Sequence, residues 1–166
     1  MDSSPRTTTN PIKPFNLLAK DLIYWQAFED RAPDGSKRMP AKPWTTFYQP
    51  DDDREYLVLL TELPLRRFRD LSGFMGHTFR IISQLKSTSG VLGYSFLGRF
   101  FQRRFWTLSV WEDEAALKAF VRQTPHLTAM KAMQGKMAKT RFIRWRIRGS
   151  EYPPIWSEVL SRQPEP

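Results

Sequence analysis

The segment Phe105–Trp111, FWTLSVW, alternates like a β-strand but offers no polar face to water. Trp106, Leu108 and Val110 point to one side, Phe105 and Trp111 to the other. Two further segments behave alike. In EYLVLLTE (Glu55–Glu62), Val58 and Leu60 oppose Leu57 and Leu59. In VLGYSFLGR (Val91–Arg99), the alternation sets Val91 and Leu97 against Leu92 and Phe96. A sheet made of such strands must be covered on both faces. Helices can cover one. A second copy of the chain, stacked sheet on sheet as a homodimer, is the simplest cover for the other, and the N-terminal helix is the alternative.

The segments around these strands complete a pattern. Pro64 ends the first strand, and Leu65–Lys86 has helical spacing, with Phe68, Leu71, Met75, Ile82 and Leu85 on one side. STSG at 87–90 is a turn. FFQRR joins the next two strands as a hairpin. Asp113 is placed to cap a helix over Glu114–Gln123, and Thr124-Pro125 starts a further helical run to about Lys139. TRFIRWRI (Thr140–Ile147) reads as the fourth strand, and Trp156–Arg162 as a short helix after Pro153-Pro154. The order is βαββαβ with a split second helix, a ferredoxin-like α+β antiparallel sheet. Upstream, residues 1–14 form a Ser/Thr/Pro-rich arm. FNLLAKDLIYWQAF (15–28) reads as a packing helix, and 31–54 as an irregular crossing rich in Pro, Gly and Asp. The organisation is therefore an arm and helix over 1–54, one domain over 55–162, and a tail over 163–166.

The composition removes several chemistries. There is no cysteine, which excludes disulfides, thiolate catalysis and cysteine-held zinc or iron–sulfur centres. With two histidines, a multi-histidine metal site within one chain is not expected. No apolar stretch reaches the roughly 18 residues of a transmembrane helix. The start, MDSSPRTTTNPIKP, lacks a basic segment followed by an apolar one, so a secretory signal is not expected and the expected location is the cytoplasm. The net charge of +9 is uneven. Residues 1–54 are neutral, residues 55–148 carry 17 basic and six acidic groups, and residues 149–166 sum to −2. The basic middle can attract an anionic ligand or polymer, or can simply be a solvated surface.

The histidine worth pursuing is His126, in TPHLTAM. On a helix capped by Thr124, His126, Met130, Met133 and Met137 recur at spacings of four, three and four and share a stripe. Such a stripe serves a core as readily as a ligand wall. The helix N-terminus is electropositive, which favours a neutral imidazole, and a neutral imidazole beside an apolar wall suits a general base or an iron ligand. His77 lies opposite the apolar stripe of its helix, towards solvent.

The sequence FWTLSVW, then EDEAALKAFV, then PHLTAM resembles the dimeric α+β barrel superfamily. Within it the chain is similar to the antibiotic-biosynthesis-monooxygenase-like and spheroidene-monooxygenase-like proteins. RFIRWRI…PPIWSEVL fits the same C-terminal layout, and the resemblance covers roughly residues 55–162. It implies a homodimer through the sheet face, with a cavity between sheet and helices in each subunit. Some members oxidise flat aromatic substrates without metal or flavin; others bind or degrade haem. By position from Trp111, the tryptophan and histidine of the haem-degrading branch correspond here to Phe120 and Met130. A haem iron would then fall to His126, with Met130 one turn away.

Three functions follow as expectations. The leading one is a monooxygenase-like enzyme for an aromatic or isoprenoid substrate. Trp106, Phe74, Trp111, Met130 and Met133 would line the cavity. His126 would act as base or iron ligand, and Arg99, Arg104 or Arg144 would balance anionic charge. The second is a module that binds an apolar ligand or haem without turnover. The third is RNA binding, because RNA-recognition modules share the βαββαβ order. RRFWTLSVW lacks the small residues of their third-strand motif, and nucleic acid is therefore not the expected partner.

Overall fold

The computed structural model describes residues 43–162. The 1–14 arm, the helix read over 15–28, the first half of the 31–54 crossing and the 163–166 tail lie outside the described residues. Five strands form one antiparallel sheet: β1 (Thr45–Thr46), β2 (Glu55–Pro64), β3 (Val91–Arg99), β4 (Arg104–Trp111) and β5 (Arg141–Arg148). Their order is β1-β3-β4-β2-β5. The last four reproduce the ferredoxin-like arrangement expected from the sequence. Helices α1 (Leu71–Leu85), α2 (Glu114–Arg122) and α3 (His126–Met133) form the crossovers, and α4 (Trp156–Ser161) follows β5.

The two-faced apolar pattern is realised. On the helix face, Leu57, Val91, Tyr94 and Trp111 pack with Leu85, Leu117 and Phe120, while Phe96 and Phe105 pack with Phe74 and Met133. On the opposite face Tyr56, Val58, Leu60, Leu97, Trp106, Leu108 and Val110 form a second core. Its cover within this chain includes Trp44, Tyr152, Trp156, Val159 and Leu160, from β1's flank and the C-terminal segment.

Three local departures have physical causes. Val91 pairs with Trp111 but Gly93 with Val110, so Leu92 is an extra residue in a β-bulge. The bulge reverses the alternation. Val91 joins Tyr94 and Phe96 on the helix face, and Leu92 joins Leu97 on the other. The first helix begins at Leu71 and not near Leu65. Leu65 bridges Met137, the Arg66 N–H donates to the Lys136 carbonyl, and the Ala138 N–H donates to the Pro64 carbonyl. Backbone groups engaged across the chain in this way cannot join a helix. Phe68 therefore falls before α1 and is 52% exposed under the Arg103 guanidinium, while Phe74 takes the core position. The methionine helix stops at Met133, two residues before Gly135, whose φ of +75° is the left-handed conformation that follows many helix ends.

Asp113 caps α2 as expected, its Oδ1 accepting the Ala116 N–H at 2.8 Å. Asp113→Ala should cost about 1 kcal/mol in urea unfolding, and Asp113→Asn should retain most of that contribution. Equal midpoints for all three proteins would show that the cap contributes nothing.

Candidate functional site

The junction of α2 and α3 carries the histidine. One buried side chain organises it: Gln84, near the end of α1. Gln84 Nε2 donates to the Phe120 carbonyl at 3.3 Å, and Gln84 Oε1 accepts the His126 N–H at 3.0 Å. A helix leaves its first N–H groups and last carbonyls without intrahelical partners. Here a single amide supplies an acceptor to the start of α3 and a donor to the end of α2. Thr124, expected as the cap, is not the one used. Pro125 occupies the cap position without a side-chain bond, and the capping acceptor comes from a third helix.

The imidazole of His126 stacks at a tilt on Phe120, with ring centroids 4.9 Å apart, and Phe120 lies 5.0 Å from Trp111. Burial holds the His126 pKa below the usual 6.5, against a smaller opposing effect from a hydrogen bond to the Val121 carbonyl. The ring is therefore neutral near pH 7. Nδ1 is buried and has no hydrogen-bond partner in the protein. Leaving a buried polar atom unpaired costs about 1–3 kcal/mol.

The structure separates the other expected site residues. Trp111 lies on the helix face against Phe120, which stands between it and His126. Phe74 and Met133 pack together in the neighbouring cluster, with Phe96, Phe105 and Leu65. Met130 does not join them. It is 52% exposed, and the buried positions of α3 are Ala129 and Met133. The inward stripe runs through the alanine, one residue from where the methionine spacing places it. Trp106 stands on the opposite face of the sheet, away from His126. Arg99 and Arg104 hold their guanidinium groups 5.8 and 5.3 Å from the Trp106 ring centroid. Arg104 also pairs with buried Glu62, and Arg144 is exposed on β5. None of the three arginines is placed in contact with His126.

Two residues of the junction escape the sequence pattern. Gln84 shows only as a polar residue among the apolar positions of IISQL, and Phe120 as one more aromatic on a helix stripe. Among the described residues no group of three His, Asp or Glu side chains converges as a metal site. Haem does not fit what is present. His126 and Met130, the two candidate iron ligands, do not converge: Nδ1 of His126 lies inside the α2–α3 junction while Met130 faces solvent.

No family model matches the chain, and no curated protein does. Solved structures do. A candidate monooxygenase from Lactobacillus acidophilus aligns with a TM-score of 0.51 at 11% identity, over 64% of this chain and 51% of that protein. The match therefore spans about half the length of that relative. A protein from Shewanella oneidensis aligns at 0.50 and 10% identity, over 63% of this chain and 96% of its own. A candidate antibiotic biosynthesis monooxygenase from Nitrosomonas europaea aligns at 0.49 and 14%, over 54% and 95%. The expected α+β fold is thus shared with solved proteins, a candidate monooxygenase among them. At these identities the likeness concerns the fold, and chemistry has to be argued from this chain's own residues.

Two measurements follow. Gln84→Ala removes the acceptor of the His126 N–H, while the Phe120 carbonyl keeps the Gln123 N–H, and should destabilise the protein by about 1–3 kcal/mol in urea; a change within error would mean water replaces the amide. For His126 the folded pKa lies below the unfolded value of about 6.5. Between the two, the unfolded chain binds a proton that the folded chain does not, so stability should fall as pH drops through that window and level off beneath it. His126→Gln should remove that component, measured as unfolding free energy against pH.

Proposed function

We propose that the protein is a monooxygenase-like enzyme that uses His126 as a general base on a hydrophobic, hydroxylated aromatic substrate. The observation that carries this reading is the neutral, half-buried imidazole whose Nδ1 lacks a partner, set against the Phe120 ring. A depressed pKa leaves the base unprotonated near neutrality. The unpaired nitrogen gains most from a ligand O–H or acidic C–H that gives it a hydrogen, because its desolvation has already been incurred. Phe120, with Trp111 behind it, gives the site its aromatic side, and Phe74 and Met133 belong to the adjoining cluster. Gln84 fixes the backbone from which the imidazole projects.

The reaction is written for a substrate with a methylene between aryl and carbonyl-bearing rings. His126 removes one proton from the methylene. The carbanion gives an electron to dioxygen, and the resulting pair combines to a peroxide anion on that carbon. The second C–H bond and the O–O bond then break, releasing water and leaving a ketone. The imidazolium returns its proton to the departing oxygen. The balance is CH2 plus O2 to C=O plus H2O, with all electrons drawn from the substrate. The monooxygenase names of proteins sharing the fold support this reading at the level of reaction class only.

The test is oxygen uptake with an anthrone as probe. Wild-type protein should consume oxygen above the rate in buffer, at a rate that falls as pH drops through the His126 pKa, below 6.5. His126→Ala should lose about 10²–10⁴-fold, the usual contribution of a positioned base. Uptake unchanged in His126→Ala would remove His126 from the chemistry. Saturable binding of the probe without uptake would instead mark a ligand carrier.

A further inference from the structure

The helix face of the sheet is closed by α1, α2 and α3. Across the opposite face runs the segment after β5, which turns through Gly149–Glu151 and ends in α4. Its seat is polar as well as apolar. Trp156 Nε1 donates to Ser95 Oγ at 2.9 Å. The Tyr152 hydroxyl accepts from Trp44 Nε1 at 2.6 Å and lies within hydrogen-bond reach of Thr46 Oγ1 (3.1 Å) and the Leu92 carbonyl (3.2 Å). Val159 is 1% exposed against the apolar core of that face. The sheet has room for this seat only because position 93 is glycine. A Cβ there would stand 2.4 Å from the Tyr152 hydroxyl oxygen, 2.5 Å from the Thr45 carbonyl oxygen and 2.7 Å from Trp44 Nε1.

We propose that residues 149–162 are an intramolecular strap that takes the place of a second copy of the chain: they occupy the sheet face a sheet-on-sheet homodimer needs, so the protein is a monomer with a latent self-association face beneath the strap. The geometry allows one occupant at a time. Stacked sheets sit about 10 Å apart, a gap that one helix with its side chains already fills. Leu92 and Ser95 cannot lie under Tyr152 and Trp156 and also under a partner's sheet. Val58, Leu108 and Val110 are fully buried on this face of the single chain, so among the described residues its apolar centre is already covered. Pairing of two copies through their β5 edges is opposed separately. Arg144, Arg146 and Arg148 are exposed on one face of that strand, and two such rows side by side repel. The inference is independent of the proposed chemistry, since His126, Gln84, Phe120 and Trp111 all belong to one chain.

Sedimentation velocity at micromolar concentration tests it. The wild-type chain should sediment with the mass of one chain. Gly93→Ala, which collides with the strap and β1, and Val159→Asp, which puts a charge beneath it, should shift the population to dimers or larger while far-UV circular dichroism stays folded. A wild-type dimer overturns the proposal, as do folded variants that remain monomeric. If both variants unfold, the wild-type mass alone decides between a strap and a partner.

Discussion

The central strands β2, β3 and β4 carry large apolar side chains on both faces, so neither face can be left to water, and the rest of the chain is arranged around supplying two covers. Three helices supply one, through Leu85, Leu117, Phe120, Phe74 and Met133. The C-terminal segment contributes to the other through Tyr152, Trp156, Val159 and Leu160. At about 1.5–3 kcal/mol for each fully buried Val, Leu or Phe, exposing either face would exceed the net stability of an ordinary domain. That arithmetic explains why a six-residue helix, too short to persist alone, is held at the end of the chain. It is held by the face it covers.

The candidate site is a by-product of the same packing. The crossover between β4 and β5 is split, and its two helices meet at an angle that no single helix could provide. The junction leaves backbone groups exposed to the core, and Gln84 satisfies two of them from a third helix. The junction holds the His126 backbone and leaves Nδ1 of its ring without a partner in the protein. A group that is costly to the empty fold becomes a gain when a ligand completes it, which is the usual relation between stability and a binding site.

Much of the frame is legible in local pattern. Asp113 as a cap, the bounds of β3, and the opposition of Trp106 to Trp111 all depend on alternation or on one turn of helix. The misplaced details share a cause. Met130 looks inward by spacing to its methionine neighbours, yet one residue of phase puts Ala129 against the core and Met130 in solvent. Leu92 changes face because a bulge inserts a residue that alternation cannot anticipate. Trp106 and His126 are close in any picture of a cavity drawn from aromatic content, but a sheet lies between them. None of these outcomes is encoded within one turn of chain.

Sequence by itself determined that this chain forms an antiparallel sheet with crossover helices, that both sheet faces are apolar, and that thiol chemistry is closed to it. These follow from side-chain type and period, which are local quantities. Tertiary structure alone decided which segment covers the second face, which residue caps α3, and which atom of His126 is left without a partner. Each of those depends on contacts between residues about 40 to 60 positions apart, such as Gln84 with His126 or Ser95 with Trp156. Nothing in the short-range pattern of either partner names the other, so only the closed fold brings them together.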